Sequence, residues 1–235
     1  MSNFNGDPIG KAILEYAKTN KPDDIIVSSE ICEDDIIPLE VLFRKYDEMP
    51  ELEKLALSLA KGDVLDVGAG AGFHAKYLQD QGLNVQTIDI SEGAVQFMNS
   101  NGLKANKIDF FDLKGAQFDT ILMLMNGIGI AGTLSNLEKT LAHAKTLLKP
   151  GGKLYCDSSD IKYLYEDEDG SMWVDLNTEY YGNFRFQMKY KKEVGLWFDW
   201  LYVDFDNLFQ SAKNAGLKAS RIYDVDDNYL AEIVN

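Results

Sequence analysis

Apolar residues recur along this chain with two different periods, and the alternation between the periods predicts an α/β order. The leading part has helical spacing. Ile13, Leu14, Tyr16 and Ala17 mark one helix over 9–17, Leu39, Val41, Leu42 and Tyr46 a second over 38–46, and Leu52, Leu55, Ala56 and Leu59 a third over 51–60. Asp7-Pro8 suits the start of the first and Lys21-Pro22 its end, since proline fits a first helical turn and arrests a helix running into it. Residues 23–31 fit a short strand or a loop, which periodicity does not decide. Then strands and helices alternate. Apolar runs at 63–67, 84–90, 107–112 and 118–125 read as four strands, the last a central one because it is apolar almost throughout. Residues 71–81, 92–99 and 134–148 have helical spacing, with Ser91 placed to cap the second helix.

Lys149-Pro150-Gly151-Gly152 stops the helix before it, and 153–156 makes a fifth strand. Beyond it Phe184, Phe186, Met188 and Tyr190 alternate with Arg185, Gln187, Lys189 and Lys191, the pattern of a half-buried strand, and 193–197 reads as its returning partner. Residues 172–176, after the acidic loop 166–170, are a further strand candidate. Asp204 opens a helix over 205–215 that Gly216 ends, and 218–223 with 229–234 form a closing antiparallel pair around Asp226-Asp227-Asn228.

The junction of the 63–67 strand and its helix holds the most informative residues: Asp66, then Gly68, Gly70 and Gly72 on alternate positions. Such glycines let the chain turn sharply and bring a ligand against bare main chain, facing a helix N-terminus. A dinucleotide fingerprint read from Gly68 fails because Phe73 stands at its last position; read from Gly70 it passes weakly through Ala75. Asp66 weighs against a dinucleotide. A carboxylate there repels a pyrophosphate and attracts an ammonium or sulfonium group. Asp89 ends the next strand, beside the first in an open α/β sheet, where its carboxylate can accept from both hydroxyls of a ribose.

The net charge of −15 opposes a sequence-independent grip on nucleic-acid phosphates. Cys32 and Cys156 are far apart and form no CxxC pair, so packing roles are expected rather than a disulfide or zinc site. No apolar run approaches a membrane span and the first residues show no signal-peptide pattern, so the expectation is a cytoplasmic protein without membrane contact.

The form Asp66-x-Gly68-x-Gly70-x-Gly72, together with Leu147-Leu148-Lys149-Pro150-Gly151-Gly152 before the fifth strand, resembles the class I S-adenosylmethionine-dependent methyltransferases. Motifs carry the resemblance over 61–156, and element order alone carries it over 204–235. It implies a single Rossmann-like α/β domain, 1–235, with a seven-stranded sheet of order 3-2-1-4-5-7-6, the last strand antiparallel and helices on both faces. Residues 1–60 then form an N-terminal helical lid, 61–156 the cofactor core and 204–235 the closing helix and strand pair, while 157–203 interrupts the family pattern and reads, from its alternation alone, as an antiparallel β insertion over the active site. S-adenosylmethionine is the implied cofactor. Its expected site comprises Asp66, Gly68, Ala69, Gly70, Asp89, Ile90, Asp109, Phe110, Met125 and, from the lid, Tyr46, with Arg44 and Met49 as further lid candidates. Asp109 is implied to accept from the adenine amino group with Phe110 on the ring; Asp112 is the alternative.

The reaction this implies is methyl transfer to a small molecule, or to a protein side chain, by in-line displacement. Alignment and exclusion of water do most of that work, so no signature nucleophile need appear. The other reading is a module that binds the nucleoside without turnover. Asn126, at the exit of the 118–125 strand, is the catalytic candidate, since its amide can orient an acceptor O–H or N–H. In methyltransferases of nucleic-acid bases an Asn here precedes Pro-Pro and an aromatic; Gly127-Ile128-Gly129 follows instead, which disfavours that activity, and Asn-Gly is also a turn dipeptide. His74 offers a base or a solvated helix position, and mid-helix His143 is the weaker candidate. Asp157 and Asp160 with Asn126 have the oxygens for Mg²⁺ and equally suit a helix cap, and no metal is expected. Tyr180, Tyr181, Trp197, Trp200 and Tyr202 either wall a pocket or anchor the insertion's own core.

Overall fold

The computed structural model describes residues 6–21, 23–165 and 179–235; the expected acidic loop 166–170 and strand 172–176 lie outside the described residues. The chain opens with α1 (Pro8–Thr19), β1 (Ile25–Ser29), β2 (Asp35–Ile37), the single turn α2 (Leu39–Leu42) and α3 (Glu51–Leu59). Next come β3 (Asp63–Val67), α4 (Phe73–Asp80), β4 (Asn84–Asp89), α5 (Glu92–Ser100) and β5 (Lys104–Lys107). They are followed by β6 (Phe118–Met123), α6 (Leu134–Leu147) and β7 (Leu148–Ser159). The chain ends with β8 (Asn183–Tyr190), β9 (Glu193–Leu201), α7 (Phe205–Asn214), β10 (Lys218–Val225) and β11 (Asn228–Val234).

The larger sheet has seven strands in the order β10-β11-β7-β6-β3-β4-β5. With the strands of the second sheet set aside, this is the order 3-2-1-4-5-7-6. Strand β11 runs antiparallel to both its neighbours, and β7, β6, β3, β4 and β5 run parallel. Alternate residues of the central strands feed two cores, as a period of two requires. Leu65, Ile121 and Leu154 pack toward α6 and α7 through Leu137, Leu141 and Leu208. Val64, Leu122 and Tyr155 pack toward α3, α4 and α5 through Leu52, Ala56, Leu78 and Met98. The layer order follows: helices, sheet, helices.

The second sheet departs from expectation. The leading segment is not purely helical: Ile25, Ile26 and Val27 form β1, and the order β2-β1-β8-β9 joins the leading segment to the insertion in one antiparallel sheet. Their β-branched side chains favour a pleated strand, but the partner that stabilises it lies far along the chain, with Val27 opposite Met188. The helix expected over 38–46 shrinks accordingly to α2 and a 3-10 turn at Tyr46–Glu48. The third strand of the large sheet is also earlier than expected. It occupies Lys104–Lys107, a polar edge strand, while Phe110–Asp112 form a 3-10 turn that buries Phe110. Of the Phe110-Phe111 pair within the expected strand, Phe110 is the buried anchor of the exit and Phe111 is exposed.

Helix α1 packs between α5 and the second sheet. Asp7 caps it, accepting from the Gly10 N–H at 2.8 Å, and its other oxygen accepts from Ser91 Oγ and the Gly93 N–H at 2.9 Å. One carboxylate thereby ties the start of α1 to the start of α5. A Cβ on Gly93 would lie 2.6 Å from the Gly10 backbone, so this approach requires glycine. No helix among the described residues is long and apolar enough to cross a membrane.

Candidate active site

The carboxyl ends of β3, β4 and β6 open into a cavity of about 480 Å³, roofed by the β2-β1-β8-β9 sheet. A second cavity of about 410 Å³ continues past β4 toward the turn after β5. Gly68, Asp89 and Ile9 line both, so the two form one groove along the strand ends. Ligands of open α/β sheets bind in such a crevice.

The glycine loop forms its floor. Gly68, Gly70 and Gly72 have φ values of +67°, +56° and +78°, a region other residues enter only with strain. At Gly68 and Gly70 a Cβ would meet nothing within 4 Å, so the bare backbone faces open space. Asp89 braces the loop: Oδ2 accepts from the Gly70 N–H at 2.9 Å and Oδ1 from the Ser91 N–H at 2.8 Å. Burial raises its pKa, aided by the charge of Asp7, against the pull of those two N–H groups.

Asp66 differs from Asp89. It is 2% exposed, and its Oδ2 has no hydrogen-bond partner among the described residues although it borders the cavity. Burial pushes its pKa up to about 6, with Asp89 adding to the rise and with His74 and the Ala75 N–H opposing it. An orphaned buried carboxylate oxygen requires an explanation, and a cationic ligand group supplies one.

His74 is not the solvated position that a helix N-terminus suggests. Its Nε2 lies 2.7 Å from Glu53 Oε2, while Arg44 Nη2 donates to Glu53 Oε1 at 2.7 Å, and all three side chains line the cavity. Burial alone would lower the imidazole pKa, but the Glu53 hydrogen bond and the charges of Asp66, Glu53 and Asp157 outweigh it and raise the pKa. Glu53 was missed because α3 was read by its leucines. The buried positions are Leu52, Glu53, Ala56 and Leu57, so an acid sits on the apolar stripe itself, and that was the available signal.

The remaining expected residues divide. Ala69 and Met125 line the larger cavity, and Ile90, Asp109 and Phe110 line the second. Asp109 also caps the following turn, accepting from the Phe111 N–H at 2.9 Å, and His143 supports Phe110 by a hydrogen bond to its carbonyl at 2.8 Å. Tyr46 lies elsewhere: its ring stacks on Tyr77 at 4.0 Å and borders neither cavity, while Arg44 and Met49 of the same segment do border one. Tyr46 opens the 3-10 turn that replaces the end of the expected 38–46 helix.

Asn126 lines the cavity, but its amide is held by the fold. Oδ1 accepts from Ser158 Oγ at 2.7 Å, Nδ2 donates to the Leu201 carbonyl at 3.3 Å, and its backbone N–H donates to Asp157. It sits at φ +57°, so the Asn-Gly turn reading describes its backbone, and its side chain is engaged at both ends of the amide. Burial pushes Asp157 up to about 7, with Glu53 adding to the rise and the Asn126 N–H and His74 opposing it. Asp160 instead accepts from Tyr181 Oη at 2.7 Å, so these two aspartates serve different partners. Of the aromatic candidates, Trp200 and Tyr202 wall the cavity, whereas Tyr180 donates to Asp204 at 2.6 Å and Trp197 is exposed beside Arg185.

Comparison with known proteins agrees with this geometry. Residues 65–156 match the family described as a methyltransferase domain. The chain is 43% identical to a SAM-dependent methyltransferase from Bacteroides fragilis crystallised with S-adenosyl-L-homocysteine, covering all of this chain and 97% of that one with a TM-score of 0.92. It is 33% identical to an uncharacterized methyltransferase of Staphylococcus carnosus over 152 residues, 60% of this chain and 71% of that protein. A ubiquinone biosynthesis O-methyltransferase of Rickettsia conorii is 27% identical over 106 residues, which are 43% of this chain and only 36% of that protein. With the glycine loop, the strand order and these relatives in agreement, the chain belongs to the class I S-adenosylmethionine-dependent methyltransferases, and S-adenosylmethionine is its cofactor.

Proposed function

We propose that this enzyme methylates a small-molecule acceptor held between the ends of the large sheet and the four-stranded roof. The observation carrying this reading is the enclosure itself. The groove is closed above by β1, β2, β8 and β9 and flanked by α1, leaving room for a nucleoside and a compact acceptor rather than for a folded partner.

The residues suit the cofactor. S-adenosylmethionine supplies a methyl carbon made electrophilic by its sulfonium. On this reading Asp66 presents its free Oδ2 to the ammonium group, and the backbone at Gly68, Ala69 and Gly70 lets the methionyl portion approach closely. Asp89, which borders both cavities, accepts from the ribose hydroxyls, and Asp109 with Phe110 and Ile90 holds the base in the second cavity. Arg44, fixed by Glu53, has a buried Nε without a partner among the described residues, which fits an anionic end of the same ligand. Met125 and the turn held by Asn126 border the acceptor side, where displacement is assisted by alignment and by excluding water.

The test is calorimetry with S-adenosylhomocysteine, followed by transfer of an isotope-labelled methyl group into a metabolite extract. Binding, and label in a low-mass product with wild type but not with Asp66→Ala, is the expected result. Label confined to protein would overturn the small-molecule assignment, and binding without any transfer would favour the non-catalytic module.

A further inference from the structure

The roof adds aromatic chemistry to the groove: Phe186 and Tyr202 border the larger cavity alone, and Phe198 and Trp200 border both. Register puts Asp35 opposite Val27, Val27 opposite Met188 and Phe186 opposite Phe198, and directly opposed residues of antiparallel strands share a face. That face closes the larger cavity. Four rings stand on or beside it: Phe186, Phe198, Trp200 and Tyr202. Phe186 and Tyr202 meet at 86° with centroids 6.4 Å apart, and Phe198 and Trp200 at 87° and 6.0 Å. Nearly perpendicular rings turn their negative faces in different directions around the same space. The Trp200 indole also presses on the turn after β6, where a Cβ on Gly129 would come within 2.3 Å of Nε1. The ring group therefore adjoins Asn126 and Gly127 at the acceptor end of the groove.

Charge around the groove has one sign. Asp35, Glu53, Asp66, Asp89, Asp109 and Asp199 line the two cavities, and the cationic side chains among the lining residues, Arg44 and His74, are both engaged by Glu53. An acceptor bearing a carboxylate or phosphate would meet these acids, because His74 is held by Glu53 and the one open N–H of Arg44 is assigned to the anionic end of the cofactor. A neutral phenol would make no use of Asp35, the one charged roof side chain among those lining the larger cavity.

We propose that the acceptor is an amine, bound with its nitrogen against the rings of Phe186, Phe198, Trp200 and Tyr202 and with Asp35 at the mouth drawing in the protonated form. This deepens the methyl-transfer reading and rests on it. Cation–π attraction and the acidic mouth favour entry of the ammonium. Its proton leaves to solvent beside exposed Asp35. The freed nitrogen lone pair forms the bond to the methyl carbon as the carbon–sulfur bond breaks, and that bond's electrons pass to sulfur. The positive charge moves from sulfur to nitrogen, so charge and atoms balance, and the N-methylated ammonium leaves.

The test uses the full chain saturated with S-adenosylhomocysteine and two probes that cannot react: choline and its neutral carbon counterpart, 3,3-dimethylbutan-1-ol. Dissociation constants come from ligand-observed NMR. Choline is expected to bind at least about fivefold more tightly, with parity in Asp35→Asn and in Tyr202→Leu. Unchanged S-adenosylhomocysteine affinity in each variant certifies the fold; if Tyr202→Leu loses it, Asp35→Asn on its exposed edge strand decides. Parity in the parent protein, or a preference untouched by the substitutions, overturns the amine assignment and leaves methyl transfer standing. Failure of the parent to bind S-adenosylhomocysteine overturns both.

Discussion

The floor and the roof of the groove are built by different means. The floor is local. Asp66 and the three glycines lie within seven consecutive residues, and Asp89 reaches back to the same loop through the Gly70 N–H. Its chemistry is backbone and carboxylate. The roof is assembled from two distant segments, with Val27 paired to Met188, and its chemistry is aromatic. A shared cofactor can be served by a local motif, whereas an acceptor is selected by whatever long-range pairing closes over it. If that division is right, substitutions in the floor change cofactor affinity and substitutions in the roof change acceptor use.

The largest separation is expected at Asp66. Asp66→Asn removes the charge that faces the ammonium, and S-adenosylhomocysteine affinity should fall by roughly 3 kcal/mol, the scale of breaking a buried pair. The pH dependence sharpens this. In the free protein Asp66 holds a proton up to about pH 6, so binding below that pH must expel it. Affinity should therefore weaken as pH falls through 6, and calorimetry in buffers of different ionisation enthalpy should detect proton release there. The stability of the free protein should move the other way. Asp66 and Asp157 are raised to about 6 and about 7, so between the ordinary carboxylate range and pH 7 the fold binds protons that the unfolded chain has released, and stability falls as pH rises. Asp157→Asn should flatten that decline. A stability that climbs across the same window would contradict the burial of these acids.

Next comes Asp89→Ala, with an expected loss of about 1–3 kcal/mol in cofactor binding through the ribose hydrogen bonds. Part of the loss should come from the loop, because the Gly70 and Ser91 N–H groups lose their acceptor. On the roof the opposite pattern is expected. Phe186 borders the larger cavity alone, and Phe186→Leu should raise the acceptor KM about tenfold, in keeping with an aromatic contact of roughly 1.4 kcal/mol, and leave S-adenosylhomocysteine affinity within about twofold. Equal effects of floor and roof variants on cofactor affinity would erase the distinction.

The same division explains what could be read from the sequence. The floor was legible because strand, glycine loop, helix and capping serine are contiguous patterns, each with its own local physics, and the strand order followed from the family resemblance those motifs carry. The roof's β8 and β9 were legible too, since Phe184 through Tyr190 alternate strictly. What was hidden depended on partners remote in sequence. β1 is five residues whose strand character is fixed by β8. His74 looked solvated because Glu53, which buries and pairs with it, belongs to another helix. Asn126 looked free because Ser158 and Leu201, which occupy its amide, arrive from β7 and β9.

Tyr46 gives the smallest effect. Its ring stacks face to face on Tyr77, with an interplanar angle of 7°, on the outside of the groove, and its neighbours Arg44 and Met49 turn inward. Tyr46→Ala should therefore lower stability by about 0.5–1.5 kcal/mol, the range of an aromatic pair, seen as a small shift in the denaturation midpoint. Cofactor affinity should stay within twofold of wild type. Arg44→Ala, two residues away, should instead weaken S-adenosylhomocysteine binding severalfold, because it also leaves Glu53 with His74 alone. If Tyr46→Ala were the more damaging of the two, the leading segment would have to rotate about its 3-10 turn when the groove fills, and the roof would be a moving part rather than a fixed wall.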